Sequence, residues 1–266
     1  MSDLKVAMVQ TQQYWEDKKA NLQHFDTLLT SELHESIDVL IFPEMFHTGF
    51  TMNAKNLAEN MEDSLGLIWL KTKAKKHDCL CIASLIIEEQ GKYFNRMVAV
   101  HPEGKIDYYD KIHLFSLAKE DEHYSPGTAR TKVEFRGWKL LLQVCYDLRF
   151  PENSRNSVQK DGSFEFDAII YVANWPERRI AHWDALLPAR AIENQCYVIA
   201  VNRVGQDANS LTYNGSSQVI DALGFYVVEP FKQIEAINIG SLTMKNQEDI
   251  RQKLPFLKDR KANSGH

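Results

Sequence analysis

The sequence predicts an α/β protein in which a mixed sheet, or two packed sheets, carries helices on the outside. Three observations point there. Continuous apolar runs of strand length recur along the chain, among them IDVLIF at 37–42 and LLLQV at 140–144, as in strands buried on both faces. Stretches with helical spacing of apolar residues alternate with these runs. Consecutive hairpins also lie between them, which a purely parallel doubly wound sheet fits less well. A chain of 266 residues, 44% hydrophobic and 25% charged, has enough material for one large core or two small ones. No linker, repeat or composition break divides it, so residues 1–266 read as a single domain.

Taken in order, Lys5–Gln10 alternates as a first strand, and Asp17 to about Glu35 carries Leu22, Phe25, Leu28, Leu29 and Leu33 at helical spacing. The strand Ile37–Phe42 ends abruptly in Pro43-Glu44-Met45-Phe46. A helix from about Leu65 to His77 leads into a β-rich run, Cys79–Ile87. Turns at Glu88–Lys92 and Pro102–Lys105 make hairpins with Tyr93–His101 and Ile106–Tyr109. The last of these delivers Asp110-Lys111-Ile112-His113, and a polar loop follows at Ala118–Gly127. Leu140–Val144 is a buried strand that stops on Cys145, and Pro151-Glu152 reads as a helix start. Asp167–Ala173 is a strand ending in Asn174-Trp175-Pro176, and His182–Gln195 a helix. Tyr197–Asn202, Ser217–Ile220 and Ile234–Ile239 read as strands, Gly224 as a turn and Gln247–Lys253 as a short helix.

Composition narrows the function classes. A net charge of −5 gives no electrostatic footprint for nucleic acid. No apolar run is long enough to span a membrane. The opening MSDLKVAMVQ lacks the form of a signal peptide, which makes cytoplasm the expected location. The cysteines Cys79, Cys81, Cys145 and Cys196 lie mostly in apolar runs and read as reduced thiols rather than a disulfide framework. Asn214-Gly215-Ser216 matches a glycosylation acceptor but reads as a turn. Phosphate-cradling glycine loops are missing, and the scattered histidines have no metal-ligand spacing, so nucleotide and metal sites are not expected.

What remains is a carboxylate, an amine and a thiol, each just beyond an apolar strand: Glu44, Lys111 and Cys145. These are the parts of a thiol hydrolase: a base for the thiol proton, a cation for an oxyanion, and a nucleophile. A cysteine near a helix start and basic groups is expected to ionise readily. Taken singly, each residue also has a plain structural reading: Glu44 as a helix cap, Lys111 as a solvated lysine, Cys145 as an inert core thiol. Glu120 lies in a charge run that by itself reads as a solvated loop. Their joint occurrence favours chemistry.

The segments FPEMFHTG, YDKIHLF and VCYDLRFPE resemble the three signature segments of the carbon–nitrogen hydrolase (nitrilase) superfamily, in the order Glu, Lys, Cys. The likeness extends to KVAMVQ, YFNR, EDEHYSPG, ANWP, RAIENQCYVIAVNRVG and YNGSSQVIDALG, nearly the whole chain. The resemblance implies an α-β-β-α sandwich whose subunits pair into homodimers or larger homo-oligomers. It implies Glu44 as general base, Lys111 as oxyanion cation, Cys145 as nucleophile and the Tyr146 backbone N–H as second oxyanion donor. The family's second glutamate falls on Glu120, with Glu122 the alternative in this acid-rich loop. The implied reaction passes through a cysteine thioester and requires no cofactor.

Within the superfamily, YDLRFPE and ANWPERRIAHW look most like the omega-amidase branch, whose substrates are 2-oxo acid monoamides such as 2-oxoglutaramate and 2-oxosuccinamate. Methionine salvage is the pathway context this implies. A substrate carboxylate needs a cation, for which Arg149, Arg178 and Arg179 are candidates; Phe46, His47, Tyr124 and Trp175 are candidate pocket walls. An N-carbamoyl or other small aliphatic amide is the alternative substrate. Two other classes stay open: a papain-like protease, from the order Cys145, His182, Asn202, and a non-catalytic binding protein on the same scaffold.

Overall fold

Each continuous apolar run forms a strand because both of its faces are covered. The computed structural model describes residues 3–260, so the two N-terminal and six C-terminal residues of the expected domain lie outside the described residues. The first half of the chain runs β1 (Leu4–Gln10), α1 (Lys18–Glu32), β2 (Val39–Ile41), α2 (Ala54–Leu57), α3 (Leu65–His77), β3 (Leu80–Glu89), β4 (Lys92–Val100), β5 (Ile106–Asp110) and α4 (Glu120–His123). The second runs β6 (Lys132–Phe135), β7 (Trp138–Val144), β8 (Ala168–Ala173), α5 (Ile180–Asn194), β9 (Tyr197–Asn202), β10 (Val204–Gln206), β11 (Thr212–Ile220), β12 (Tyr226–Lys232), β13 (Ala236–Leu242) and α6 (Met244–Lys253).

Two mixed sheets result. One has the order β13-β1-β2-β3-β4-β5, the other β10-β11-β9-β8-β7-β6 with β12 also paired to β11. β1, β2 and β3 are parallel, as are β7, β8 and β9, and hairpins extend both sets. Side-chain alternation explains why the runs are apolar throughout. On β8, Ala168, Ile170 and Val172 face the other sheet, where they meet Val6, Met8, Val39 and Ile41. Ile169, Tyr171 and Ala173 face Trp183, Leu187 and Ala191 of α5. Ala7, Val9, Leu40 and Cys81 of the first sheet cover α1 and α3 in the same way. The molecule is an α-β-β-α sandwich, the finer of the two architectures the sequence allows.

Local chemistry sets the helix limits. The Asp17 carboxylate accepts from the Ala20 N–H and the Ser64 hydroxyl from the Leu67 N–H, capping α1 and α3. Asp78 ends α3 and Gln195 ends α5, both in the left-handed region.

Several expectations need correction. Pro151-Glu152 does not open an α-helix. Two short 3₁₀ turns, Cys145–Arg149 and Pro151–Ser154, follow β7 instead. The Asp147 carboxylate bends back to the Val144 N–H at 3.0 Å and holds the first of them tight. Asn214-Gly215-Ser216 is not a turn but a buried stretch of β11. Its backbone runs through positive φ at Gly215 and Ser216 where the pairing with β12 shifts register. A Cβ at Gly215 would fall 2.3 Å from the Gln10 amide, so glycine is required there. β6, β10 and β12 went unread: two are very short, and β12 contains Pro230, which argues against a strand except at bulges and edges. The loop before Gly127 carries the single-turn helix α4.

Replacing Ile170 by Ala should cost about 2–5 kcal/mol, because it opens a hole between two sheets that cannot collapse around it. Chemical denaturation of the variant checks this, and an unchanged midpoint would contradict the packing described.

Candidate active site

The two sheets end at one edge of the sandwich, and the polar residues that follow their strands converge there. Glu44 follows β2 after Phe42 and Pro43. Its turn is held by the Met45 N–H on the Ser84 hydroxyl at 2.7 Å and by Phe46 N–H on the Ser84 carbonyl. Lys111 follows β5, and its N–H donates to the Asn95 carbonyl at 3.0 Å. Gly127 packs against that segment so closely that a Cβ would meet the Asp110 carbonyl oxygen at 2.1 Å. Cys145 follows β7 with φ of +45°, a left-handed conformation that is strained for a side-chain-bearing residue.

Glu44, Lys111 and Glu120 are sealed from solvent. The Lys111 Nζ lies 2.9 Å from Glu44 Oε1 and 2.8 Å from Glu120 Oε2. The Asn95 amide donates to Glu44 Oε1 at 2.8 Å and to Glu120 Oε1 at 3.1 Å. Glu44 Oε2 accepts the Asn174 backbone N–H at 2.9 Å, and Glu120 Oε2 accepts that of Phe115 at 2.7 Å. Asn174 and Gln13 side chains donate to the Glu44 carbonyl. Glu122 is exposed and pairs with Lys119.

The electrostatics follow from burial and from this pairing. Burial alone would lower the Lys111 pKa, but the carboxylates of Glu120 and Glu44 outweigh it and hold the ammonium charged. Burial raises the Glu120 pKa, and the Glu44 charge adds to that against the pull of Lys111. For Cys145, burial and then the Glu44 charge push the thiol well above its ordinary range despite Lys111. The expected easy ionisation therefore does not hold. Among the described residues no regular helix points its N-terminus at the thiol, and the local charge balance is negative. A neutral thiol beside a charged carboxylate is suited to proton transfer as an electrophile arrives, rather than to a standing thiolate.

A second framework binds the Cys145 turn to the Lys111 segment. Asp147, fully buried, accepts the Tyr109 hydroxyl at 2.8 Å and the Val144 N–H on one oxygen. On the other it accepts the His113 backbone N–H and the ring Nδ1. Residues flanking Cys145 and Lys111 thus share one carboxylate.

Cys145 opens on a cavity of about 540 Å³ whose walls include Phe50, Phe115, Tyr146 and Trp175. Arg149, Arg178 and Arg179 line it too. Arg149 packs on Trp175 at 4.8 Å, and both of its terminal nitrogens approach His182 Nδ1 at 3.1 Å. Arg179 lies 5.1 Å over the Phe115 ring. Its pKa is lowered by burial and by the neighbouring Arg178. Among the described residues no carboxylate pairs with any of the three.

Three expected wall residues lie elsewhere. Phe46 is buried among Phe25, Phe42 and Trp69 on the helix side of the first sheet. His47 stacks on Phe46 and bonds Glu59 at 3.2 Å. Tyr124 donates its hydroxyl to the Thr51 carbonyl inside a cluster with Met45 and Ile86. The turn after β2 aims Glu44 at the thiol, so its neighbours point into the core. In the rival protease order, His182 engages Arg149, and Asn202 is spent on the Trp175 backbone. Asn95, Asp147 and Asn174 received no role from sequence. Asn95 and Asn174 sit in YFNR and ANWP, where a polar residue beside a buried strand was the available signal. Among the described residues no group of three or more metal-binding side chains is poised to hold an ion, and no helix is long and apolar enough to cross a membrane.

Residues 5–252 match the family model described as carbon–nitrogen hydrolase. An omega-amidase of Yersinia enterocolitica, YafV, is 44% identical over 260 residues, 97% of each chain. The 2-oxoglutaramate amidase of Bacillus subtilis is 34% identical over 225 residues, 84% of each. Among solved structures, XC1258 of Xanthomonas campestris, a CN-hydrolase superfamily protein with an arsenic adduct in its active site, is 37% identical with a TM-score of 0.95 over 100% of both chains.

The raised thiol pKa has a direct readout. Carboxamidomethylation of Cys145, followed by mass spectrometry of its peptide, should quicken about tenfold per pH unit from neutrality to beyond pH 9. A plateau at or below pH 7 would mean a preformed thiolate.

Proposed function

Because the chain belongs to the carbon–nitrogen hydrolase (nitrilase) family, we propose that it is an omega-amidase. It releases ammonia from the terminal amide of a short 2-oxo dicarboxylic acid monoamide, with 2-oxoglutaramate and 2-oxosuccinamate as substrates. One observation carries the substrate class: the cavity that presents Cys145 beside Glu44, Lys111 and Glu120 is also lined by guanidinium groups lacking a carboxylate partner. An acyl carbon at one end of the substrate and a carboxylate at the other match those two features.

In this reading Glu44 takes the Cys145 proton as the sulfur attacks the amide carbon. The carbonyl oxygen becomes an oxyanion, held by the Lys111 ammonium and by the Tyr146 backbone N–H at the start of the 3₁₀ turn. Collapse breaks the carbon–nitrogen bond, and Glu44 returns its proton to the departing ammonia. Water then enters, gives a proton to Glu44 and attacks the thioester carbon. Sulfur leaves, recovers that proton, and the free acid departs. Glu120 keeps Lys111 charged and in place. Arg179 holds the substrate carboxylate, since its guanidinium stacks on Phe115 and has no hydrogen-bond or carboxylate partner among the described residues, whereas Arg149 already has His182.

We further infer a single carbon–nitrogen hydrolase domain, a cytoplasmic location, and a role consuming the monoamide that glutamine transamination leaves in methionine salvage. Subunits pair as a homodimer or larger homo-oligomer, which the exposed Leu223, Phe225 and Val227 support.

Ammonia release from 2-oxoglutaramate by the purified protein tests the reading. Cys145→Ala and Glu44→Gln should be inactive, and Lys111→Ala should lose about 100- to 1000-fold in turnover. Turnover confined to carbamoyl or aliphatic amides would discard the substrate and keep the mechanism. Arg179→Ala should cost roughly 10- to 150-fold in kcat/KM on 2-oxoglutaramate, the value of a charge-assisted bond of about 1.5–3 kcal/mol. It should leave an uncharged amide such as propionamide unaffected; equal losses on both would assign Arg179 a structural role.

A further inference from the structure

Three ionisable side chains share the buried centre beside Cys145: two carboxylates and one ammonium. Two carboxylates on one cation repel, and without further help one of them takes up a proton. We propose that Asn95 is a positioning residue of this site: its single amide nitrogen bridges both carboxylates, fixes their spacing around Lys111 and holds the Glu44 carboxylate in place to accept the Cys145 proton. The proposal rests on Glu44 acting as the base.

The geometry is specific. Nδ2 carries two hydrogens and lies 2.8 Å from Glu44 Oε1 and 3.1 Å from Glu120 Oε1, one bond to each. The same residue's carbonyl takes the Lys111 N–H at 3.0 Å, so one β4 position reaches all three charged residues. Asn95 is fully buried, and its Oδ1 finds no hydrogen-bond partner among the described residues. An orphaned buried acceptor is costly. A flipped amide is excluded, because it would turn that oxygen onto two carboxylates. The side chain is therefore kept for its two donors. An apolar residue of similar size would spare the orphan and fill the same space.

The other groups facing the pair are known. Lys111 comes from the end of β5, Cys145 from the end of β7 and Tyr124 from the segment after α4, with Glu16 farther off. Lys111 is already shared between the carboxylates, Cys145 and Tyr124 are neutral, and Glu16 is like-charged. The Asn174 and Phe115 backbone N–H groups each donate to one carboxylate, and Asn95 is the neutral side chain that donates to both. Burial and the Glu44 charge already raise the Glu120 pKa with Asn95 in place, so loss of its bonds favours proton uptake by the pair at higher pH.

The test is the pH dependence of kcat/KM for Asn95→Ala and for the isosteric Asn95→Asp, with Glu44→Gln beside them. The acid limb should move up by about one unit or more in Asn95→Ala and further in Asn95→Asp. Activity near neutrality should fall by up to about tenfold for each unit of that shift and recover towards pH 9. KM should change less than about threefold. A uniform loss with an unshifted profile would overturn the proposal and leave Asn95 a packing role. Should Asn95→Ala fail to fold, Asn95→Asp alone decides on the same criterion. A dead Glu44→Gln with unshifted Asn95 variants sinks only this inference, whereas a fully active Glu44→Gln removes the base assignment and the inference with it.

Discussion

The burial of the Lys111 ammonium is the constraint on which the site depends. A lone ammonium inside a protein is tolerated only with partners, and removing one partner of a buried pair costs about 3–5 kcal/mol. Glu44 and Glu120 are those partners, from the end of β2 and from α4. Satisfying one charge therefore fixes the ends of β2 and β5 and the α4 turn relative to one another. The second carboxylate leaves the centre with a net negative charge, and this, with burial, keeps the Cys145 thiol neutral. In the proposed mechanism a neutral sulfur at rest means that the thiolate is generated only as an acyl group arrives. Such a site is guarded against adventitious alkylation and oxidation, which act on thiolates.

Backbone strain at Cys145 has its own support. Cys145 and Met45 both occupy the left-handed region, a cost of order 1–3 kcal/mol each that persists only where the surroundings over-determine the conformation. Around Cys145 that work falls to Asp147 with its four donors. Around Met45 it falls to Ser84, through its hydroxyl and its backbone carbonyl. Neither device reacts with anything. Both set where a reacting atom sits.

The strands and the three reactive residues were legible because they obey local rules: an apolar run covered on both faces, then an abrupt polar residue at its end. The same rules failed where partners are distant. Phe46 and His47 share a turn with Glu44 but point to the other side of the sheet, which only the surrounding Phe25, Phe42 and Trp69 reveal. Asn95 read as one polar residue in a strand, since the two carboxylates that define it lie 51 and 25 positions away. The helix expected after Pro151 yielded to Asp147, whose carboxylate tightens the turn from within. Arg149 kept its place in the cavity, but its engagement with His182, 33 residues on, was invisible to spacing. The conspicuous apolar strand β7 was easy to find, and Pro230 hid β12.

The division of the site between the sheets has a further consequence. Glu44 and Lys111 ride on the first sheet, Cys145 and Asn174 on the second, and what holds the two halves in alignment is the layer of Val6, Met8, Ile41, Leu142, Ile170 and Val172 between them. Bonds such as Asn174 to Glu44 cross that seam. Turnover is then a strain gauge for the interior of the sandwich. A core substitution that lets the sheets slide by a fraction of an ångström registers first as lost catalysis, well before the protein melts, and second-site changes that restore activity are to be sought along the seam rather than around the cavity.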